Sequence, residues 1–252
     1  MKFAHERSGQ GTPTVLVHGL GGTSNVWQPQ ISALETVGSV LRVDLDGAGR
    51  SPARGKLSID SWVDLLIELM DAFELKSARF AGHSLGTLIV QHLASKHPRR
   101  VSALALLGVN RAPEEARRQT VRARAAKART EGMVGIADSV IATALSPTTV
   151  RDKPVVVAFV RELLMRQDAE GYARSCEAVS EAVAADLSRI ACPVLAIAGK
   201  DDAVSPPDAS VRIASELPNA RSVVIEQCGH WMTLEQPTAV NAALVEFFTS
   251  VP

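Results

Sequence analysis

The sequence predicts an α/β fold: a doubly wound, mostly parallel sheet interrupted by an inserted helical cap. Three observations carry that expectation. Short runs rich in Val, Leu and Ile alternate with longer stretches of helical periodicity. The short runs are nearly continuous in apolar content, as strands covered on both faces must be. Between about 111 and 186 the alternation stops and only helical pattern remains. A chain of 252 residues, 46% of them hydrophobic, has room for one such domain and its core.

In chain order, strands are expected at TVLVHG (14–19), SVLRVD (39–44), ARFAGHS (78–84), VSALALLG (101–108), PVLAIAG (193–199) and RSVVIE (221–226). The stretch SIDSWVDLLIELMDAFEL opens on Ser and Asp and repeats Trp62, Leu65, Leu66, Leu69 and Phe73 at helical spacing. GTLIVQHLASKHP is a second helix that stops at Pro98. A last one, PTAVNAALVEFF, opens on Pro237 and Thr238 and aligns Val240, Leu244 and Phe247 or Phe248. Between 111 and 186 only VVVAFV competes as a strand. The expected division is therefore a core of 1–110 and 187–252 with a cap of 111–186, the cap lying over the active site.

Composition narrows the function classes. Lys plus Arg and Asp plus Glu are each 27, a net charge of zero, which argues against nucleic acid as a partner. No apolar run is long enough for a bilayer, so no membrane partner is expected. MKFAHERSGQGTPT has no signal-peptide pattern, and the expected location is cytoplasmic. Cys176, Cys192 and Cys228 are widely spaced and form no ligand set; they read as reduced, buried small hydrophobes. Neither a metal nor a cofactor is expected, and a homo-oligomer is left open.

The chemistry is in RFAGHSLGTLIV, residues 79–90. Gly82 and Gly86 each lie two places from Ser84, where a strand would have to reverse into a helix. Small flanking residues permit a strained turn that pushes the serine hydroxyl out at the sheet's end. A nucleophilic serine needs a base to take its proton and an acid to hold the base's tautomer. KDDAVSPP follows the strand PVLAIAG, placing Asp201 and Asp202 past a strand end, where ligands bind in open α/β sheets. QCGHWMTLEQP follows RSVVIE and places His230 on the loop before the final helix. For the oxyanion, one backbone N–H is expected from Leu85, after the nucleophile. The other is expected from Leu20 in VHGLGG, after the first clear strand.

With HGLGG, DLDGAGRS, GHSLG, GKDDAVSP and GHWMTLEQP in this order, the sequence resembles the α/β-hydrolase superfamily nearly end to end. The resemblance implies the α/β-hydrolase fold, and the family's G-x-x-D pattern before proline selects Asp202 over Asp201. QDAEGYARSCEAV and its spacing to PVLAIAGKDD look like the 3-oxoadipate enol-lactonase branch. Three departures stand out: Gly47-Ala48-Gly49 where the family commonly has Gly-His-Gly, Thr87 where it has a small residue, and an N-terminal hairpin shortened to about one strand.

The expected activity is hydrolysis of a small ester or lactone through an acyl-enzyme on Ser84, with His230 as base and Asp202 as its orienting acid. A carboxylate-bearing enol-lactone is the specific expectation. General carboxylesterase, C–C hydrolase and perhydrolase chemistries share the same three residues, and a non-catalytic ligand receptor is the rival of another class. His18 and His83 read as packing residues, and Asp44 and Asp46 as organisers of the glycine-rich loop. Trp27 and Trp231 are candidates for the substrate pocket. Arg111, Arg117, Arg118, Arg122, Arg124, Lys127 and Arg129 read as a mostly solvated face, from which one arginine is expected to turn inward toward a substrate carboxylate.

Overall fold

A computed structural model describes residues 3–251. The strands are β1 (His5–Ser8), β2 (Pro13–Val17), β3 (Ser39–Val43), β4 (Ala78–His83), β5 (Val101–Leu107), β6 (Val194–Gly199) and β7 (Ala220–Ile225). They form one sheet in the order β1-β3-β2-β4-β5-β6-β7. Only β1 runs antiparallel, pairing His5 with Val43 and Ser8 with Val40. The six expected strands are present to within two residues at each end. β1, with the sequence HERS, has no apolar run because it is a half-exposed edge strand.

The sheet separates its side chains by parity. Leu16, Ala105, Leu107, Leu195 and Ile197 enter one apolar cluster. Their neighbours Val15, Val17, Leu104, Leu106, Val194 and Ala196 enter the other. Both faces are covered, so the central strands read as nearly continuous hydrophobic runs, and the buried exception, Arg79 of β4, spends its guanidinium on the Thr12, Val37 and Phe248 carbonyls. β7 closes the sheet at the other edge and is half exposed along its length.

The helices are α1 (Ile31–Leu34), α2 (Ile59–Ala72), α3 (Leu85–Lys96), α4 (Glu115–Glu131), α5 (Val134–Ala144), α6 (Pro147–Asp152), α7 (Pro154–Met165), α8 (Ala169–Glu181), α9 (Pro207–Glu216), α10 (Met232–Glu235) and α11 (Pro237–Ser250). α2 starts where Ser58 and Ser61 cap each other's backbone N–H groups, a reciprocal arrangement that satisfies two donors of the first turn. Its Trp62, Leu65, Leu66 and Leu69 pack with Ile89 and Leu93 of α3 and Ile213 of α9 on one face of the sheet. Val240, Leu244, Phe247 and Phe248 of α11 cover the other. α4 to α8 all lie between β5 and β6 in the chain, as expected, and VVVAFV is helical, within α7. Pro154 at the first position starts that helix, and Val160, Leu163 and Leu164 form its buried side. Among the described residues no helix is long and apolar enough to cross a membrane.

Candidate active site

The parallel strands all end at the same edge of the sheet, and the loops leaving that edge carry the polar residues singled out above. Ser84 follows β4 directly, with φ 52° and ψ −114°. A positive φ at a residue bearing a Cβ costs about 1–3 kcal/mol and persists only where the surroundings hold it. They do so here by hydrogen bonds and close packing. The Ser84 N–H donates to the Leu107 carbonyl at 2.9 Å. Its own carbonyl accepts from the Thr87 N–H at 2.9 Å and the Thr87 hydroxyl at 2.7 Å. A Cβ on Gly82 would sit 2.5 Å from the Gly86 carbonyl oxygen, and one on Gly86 would collide with the Val17 carbonyl of β2. Both glycines are there because backbone lies against backbone on each side of the turn.

The Ser84 Oγ donates to His230 Nε2 at 2.8 Å, and His230 Nδ1–H donates to Asp202 Oδ2 at 2.8 Å. Asp202 is 3% exposed, and its other oxygen accepts the backbone N–H groups of Val204 and Ser205, each at 2.8 Å. Asp201 is exposed and makes no such contact with the imidazole. The carboxylate beside the imidazole is thus Asp202, the one the family's G-x-x-D pattern selects, and not Asp201.

His230 is held by its neighbours. Its N–H donates to the Ala144 carbonyl at 2.7 Å, and its carbonyl accepts from His83 Nε2 at 2.7 Å. Burial, then the positive charge of a protonated His230, push the His83 imidazole down to about 3. His83 is thus a neutral donor that fixes the His230 backbone. Glu235, fully buried, accepts the N–H groups of Gly229 (3.1 Å) and Trp231 (2.9 Å) on either side of His230, and that of Ser146 at 2.8 Å. Sequence reading missed Glu235. A carboxylate in a short amphipathic stretch carries no sign that it will be buried.

The HGLGG loop lies against the serine: a Cβ on Gly19 would sit 2.9 Å from the Ser84 Cβ. His18 donates from Nδ1 to the Gly19 carbonyl at 2.8 Å and accepts the Leu45 N–H on Nε2 at 3.0 Å. This fixes the neutral tautomer, and burial lowers its pKa further. Neither the Leu20 nor the Leu85 backbone N–H has an acceptor among the described residues, and both residues border the cavity beside Ser84. Asp44 orders the neighbouring glycine-rich loop by accepting from the Ser24 N–H (2.7 Å) and from the Arg50 N–H (3.1 Å) and Nε (3.0 Å). Burial alone would raise its pKa, but these bonds outweigh it and the net direction is down.

Above Ser84 is a cavity of about 720 Å³ between the strand ends and α4, with Leu20, Leu88, Val109, Val121, Arg117 and Arg124 among its walls. Trp27 and Trp231 are not among them. Trp27 is fully buried with the core on the α11 face. Trp231 is 3% exposed and packs its ring 5.9 Å from that of His83, on the protein side of the His230 loop. Adjacency to His230 in sequence did not bring its side chain to the cavity. Most of the basic run is engaged elsewhere. Arg111 pairs with Glu216, Arg118 donates to the Ser180 and Ala182 carbonyls, and Arg129 pairs with Glu170 and Glu177. No carboxylate among the described residues pairs with Arg117 or Arg124. Desolvation at the cavity, then repulsion from Arg124, lowers the basicity of Arg117.

A second missed residue touches Ser84. Asn110, three residues past β5, donates from Nδ2 to the Ser84 Oγ at 3.2 Å. A lone Asn after a strand has no motif around it, and only the fold brings it to the serine.

The alpha/beta hydrolase family profile matches residues 14–243. The chain belongs to that family. As a member of it, the protein is a hydrolase related to enol-lactonases. A curated relative, 3-oxoadipate enol-lactonase 2 of Acinetobacter baylyi, is 32% identical over 91% of this chain and 86% of its own length. Among solved structures, a thermophilic esterase from Thermogutta terrifontis superposes with a TM-score of 0.94 at 28% identity, covering 98% of this chain and 93% of the esterase. The enol-lactonase from Burkholderia xenovorans does so with a TM-score of 0.91 at 30% identity, covering 98% and 96%.

Proposed function

We propose that this hydrolase cleaves a small ester or lactone through an acyl-enzyme on Ser84. The observation that carries the reading is the unbroken chain from Ser84 Oγ through His230 to the buried Asp202 carboxylate, on the floor of a cavity. His230 takes the serine proton as Oγ attacks the carbonyl carbon, and Asp202 holds the imidazole in the tautomer that can accept it. The unpartnered N–H groups of Leu20 and Leu85 stabilise the tetrahedral oxyanion. His230 then returns the proton to the leaving oxygen, and water repeats the sequence to free the acid. The helices between β5 and β6 act as a cap that shapes the pocket.

A carboxylate-bearing enol-lactone is the substrate class favoured within that reading. Support comes from the two unpaired arginines on the cavity wall and from the enol-lactonases among the relatives. The esterase neighbour favours a second reading, a carboxylesterase for neutral esters. Three reduced cysteines, two of them buried, accord with a cytoplasmic location.

A fluorophosphonate probe should label the wild type at Ser84, and Ser84→Ala should remove both labelling and hydrolysis across a panel of p-nitrophenyl esters and small lactones. Labelling at another serine, or hydrolysis that survives in Ser84→Ala, would overturn the assignment and leave a ligand-binding role.

A further inference from the structure

We infer that Asn110 is a catalytic residue that speeds release of the acyl group from Ser84 rather than its capture. The inference rests on Ser84 being acylated, as proposed above. Every polar group of Asn110 is engaged. Its backbone N–H donates to the Thr87 hydroxyl at 2.9 Å, and its carbonyl accepts from Gln91 Nε2 at 2.9 Å. Its Nδ2 faces the Ser84 Oγ at 3.2 Å and the Gly108 carbonyl at 3.4 Å, while Oδ1 accepts from the Ser205 hydroxyl at 3.4 Å. The Gly108 carbonyl can only accept, so the amide presents its NH₂ side to the nucleophile. The Ser205 N–H in turn donates to Asp202. Serine, imidazole, carboxylate, Ser205 and Asn110 thus form a closed ring, and Thr87, one of the family departures, is the brace that sets Asn110 in it.

The effect follows from how the acceptor strength of Oγ changes along the reaction. In the free enzyme Oγ is a hydroxyl oxygen that gives its proton to His230 and already accepts from Asn110. Oγ carries the same developing charge in the transition state of its attack, but there the bond starts from an accepting hydroxyl and gains less. In the acyl-enzyme Oγ is an ester oxygen, its lone pair delocalised into the carbonyl, and accepts weakly. During deacylation water adds to the carbonyl carbon and gives its proton to His230. The C–Oγ bond then breaks with its electron pair moving to Oγ, which takes that proton back as the carboxylic acid leaves. Negative charge grows on Oγ beside the Asn110 N–H, so the bond strengthens from ground state to transition state, the condition for lowering a barrier. A hydrogen bond to a charged group is worth about 10- to 150-fold in rate.

Two rates decide the matter. The burst of p-nitrophenol reports acylation. Decay of the acetyl-enzyme, followed by intact mass after rapid mixing with p-nitrophenyl acetate, reports deacylation. For Asn110→Leu, which removes the donor at similar size, the burst rate should fall by clearly less than the decay rate. Decay should slow by at least about tenfold, and where decay limits turnover kcat and KM should both fall, with kcat/KM falling less than kcat. Ser205→Ala, which frees the amide to turn over, should show the same split to a smaller degree. Unchanged decay in folded variants overturns the inference. So does an equal loss in both rates, which would make Asn110 a brace for the turn. A wild type that neither labels at Ser84 nor bursts would instead overturn the acyl-enzyme reading itself.

Discussion

The ends of the strands and the helices inserted between β5 and β6 are held together by different physics. At the strand ends, backbone passes within touching distance of backbone at Gly82, Gly86 and Gly199, and Asp202, His230 and Glu235 are held by hydrogen bonds to named partners. In the insertion, α4 docks on α8 through a narrow stripe of Val121, Ala125 and Ala128, framed by exposed ion pairs from Arg129 to Glu170 and Glu177. Exposed pairs of that kind are worth roughly 0–1 kcal/mol, so beyond its three buried residues little on α4 is fixed by packing. The first region tolerates almost no change in shape. The outer face of the second is held by weak contacts and has more room for change.

The largest effect that tests this contrast is at the acid. Asp202→Asn should lower kcat by on the order of 10⁴ through the wrong imidazole tautomer, while Asp201→Asn should stay within a few-fold in the same assay. A greater loss from Asp201→Asn would reverse the assignment of the two carboxylates.

Acid should then find the same region first. His83 holds its proton far less well folded, at about 3, than unfolded, near 6.5. The unfolded chain therefore binds the extra proton between those values. This contribution to stability is fully present above pH 6.5 and declines as pH falls, by about 1.4 kcal/mol per pH unit and roughly 3 kcal/mol by pH 4. Urea unfolding from pH 7 to 4 should show that slope. His83→Gln, which keeps a donor and cannot titrate, should be flatter; an equal slope would mean that other groups carry the acid sensitivity.

Gly86→Ala drives a methyl into the Val17 carbonyl and should cost about 3 kcal/mol in thermal or urea unfolding. Arg129→Ala, at the insertion, should cost under about 1 kcal/mol. Comparable losses would abolish the distinction between the regions.

The last effects concern selectivity and show on one substrate class only. Arg124→Ala or Arg117→Ala should raise KM for an anionic lactone by about 10- to 150-fold, as loss of a charge-assisted contact does, and leave neutral esters nearly untouched. Equal changes on both would assign the arginines to packing and favour the carboxylesterase reading.

What was legible in the sequence follows the same divide. Strands buried on both faces and glycines forced by backbone contact leave strong local marks, so β2 to β7 and the GHSLG turn could be read directly. β1 could not, because an edge strand with water on one side needs no apolar run. The residues that act through distant partners were silent: Asn110 and Glu235 matter only because the fold closes over them. Trp27 and Trp231 were misleading for a related reason, since a large aromatic near a site in sequence is as easily part of the core beneath it.

The Glu235 carboxylate has a consequence for anyone recombining this protein with its relatives. It grips Ser146, in the insertion, with the same oxygen that grips Gly229, and Ala144 accepts the His230 N–H. A Cβ on Gly229 would sit 2.6 Å from the Ser146 nitrogen, so the two segments are fitted without a gap. A chimera that exchanges the helices between β5 and β6 wholesale would import a foreign junction at 144–146 and disturb the imidazole from behind. The crossover points that keep the chemistry are those that leave this short joint with its native scaffold, exchanging α4 on one side of it and α7 and α8 on the other.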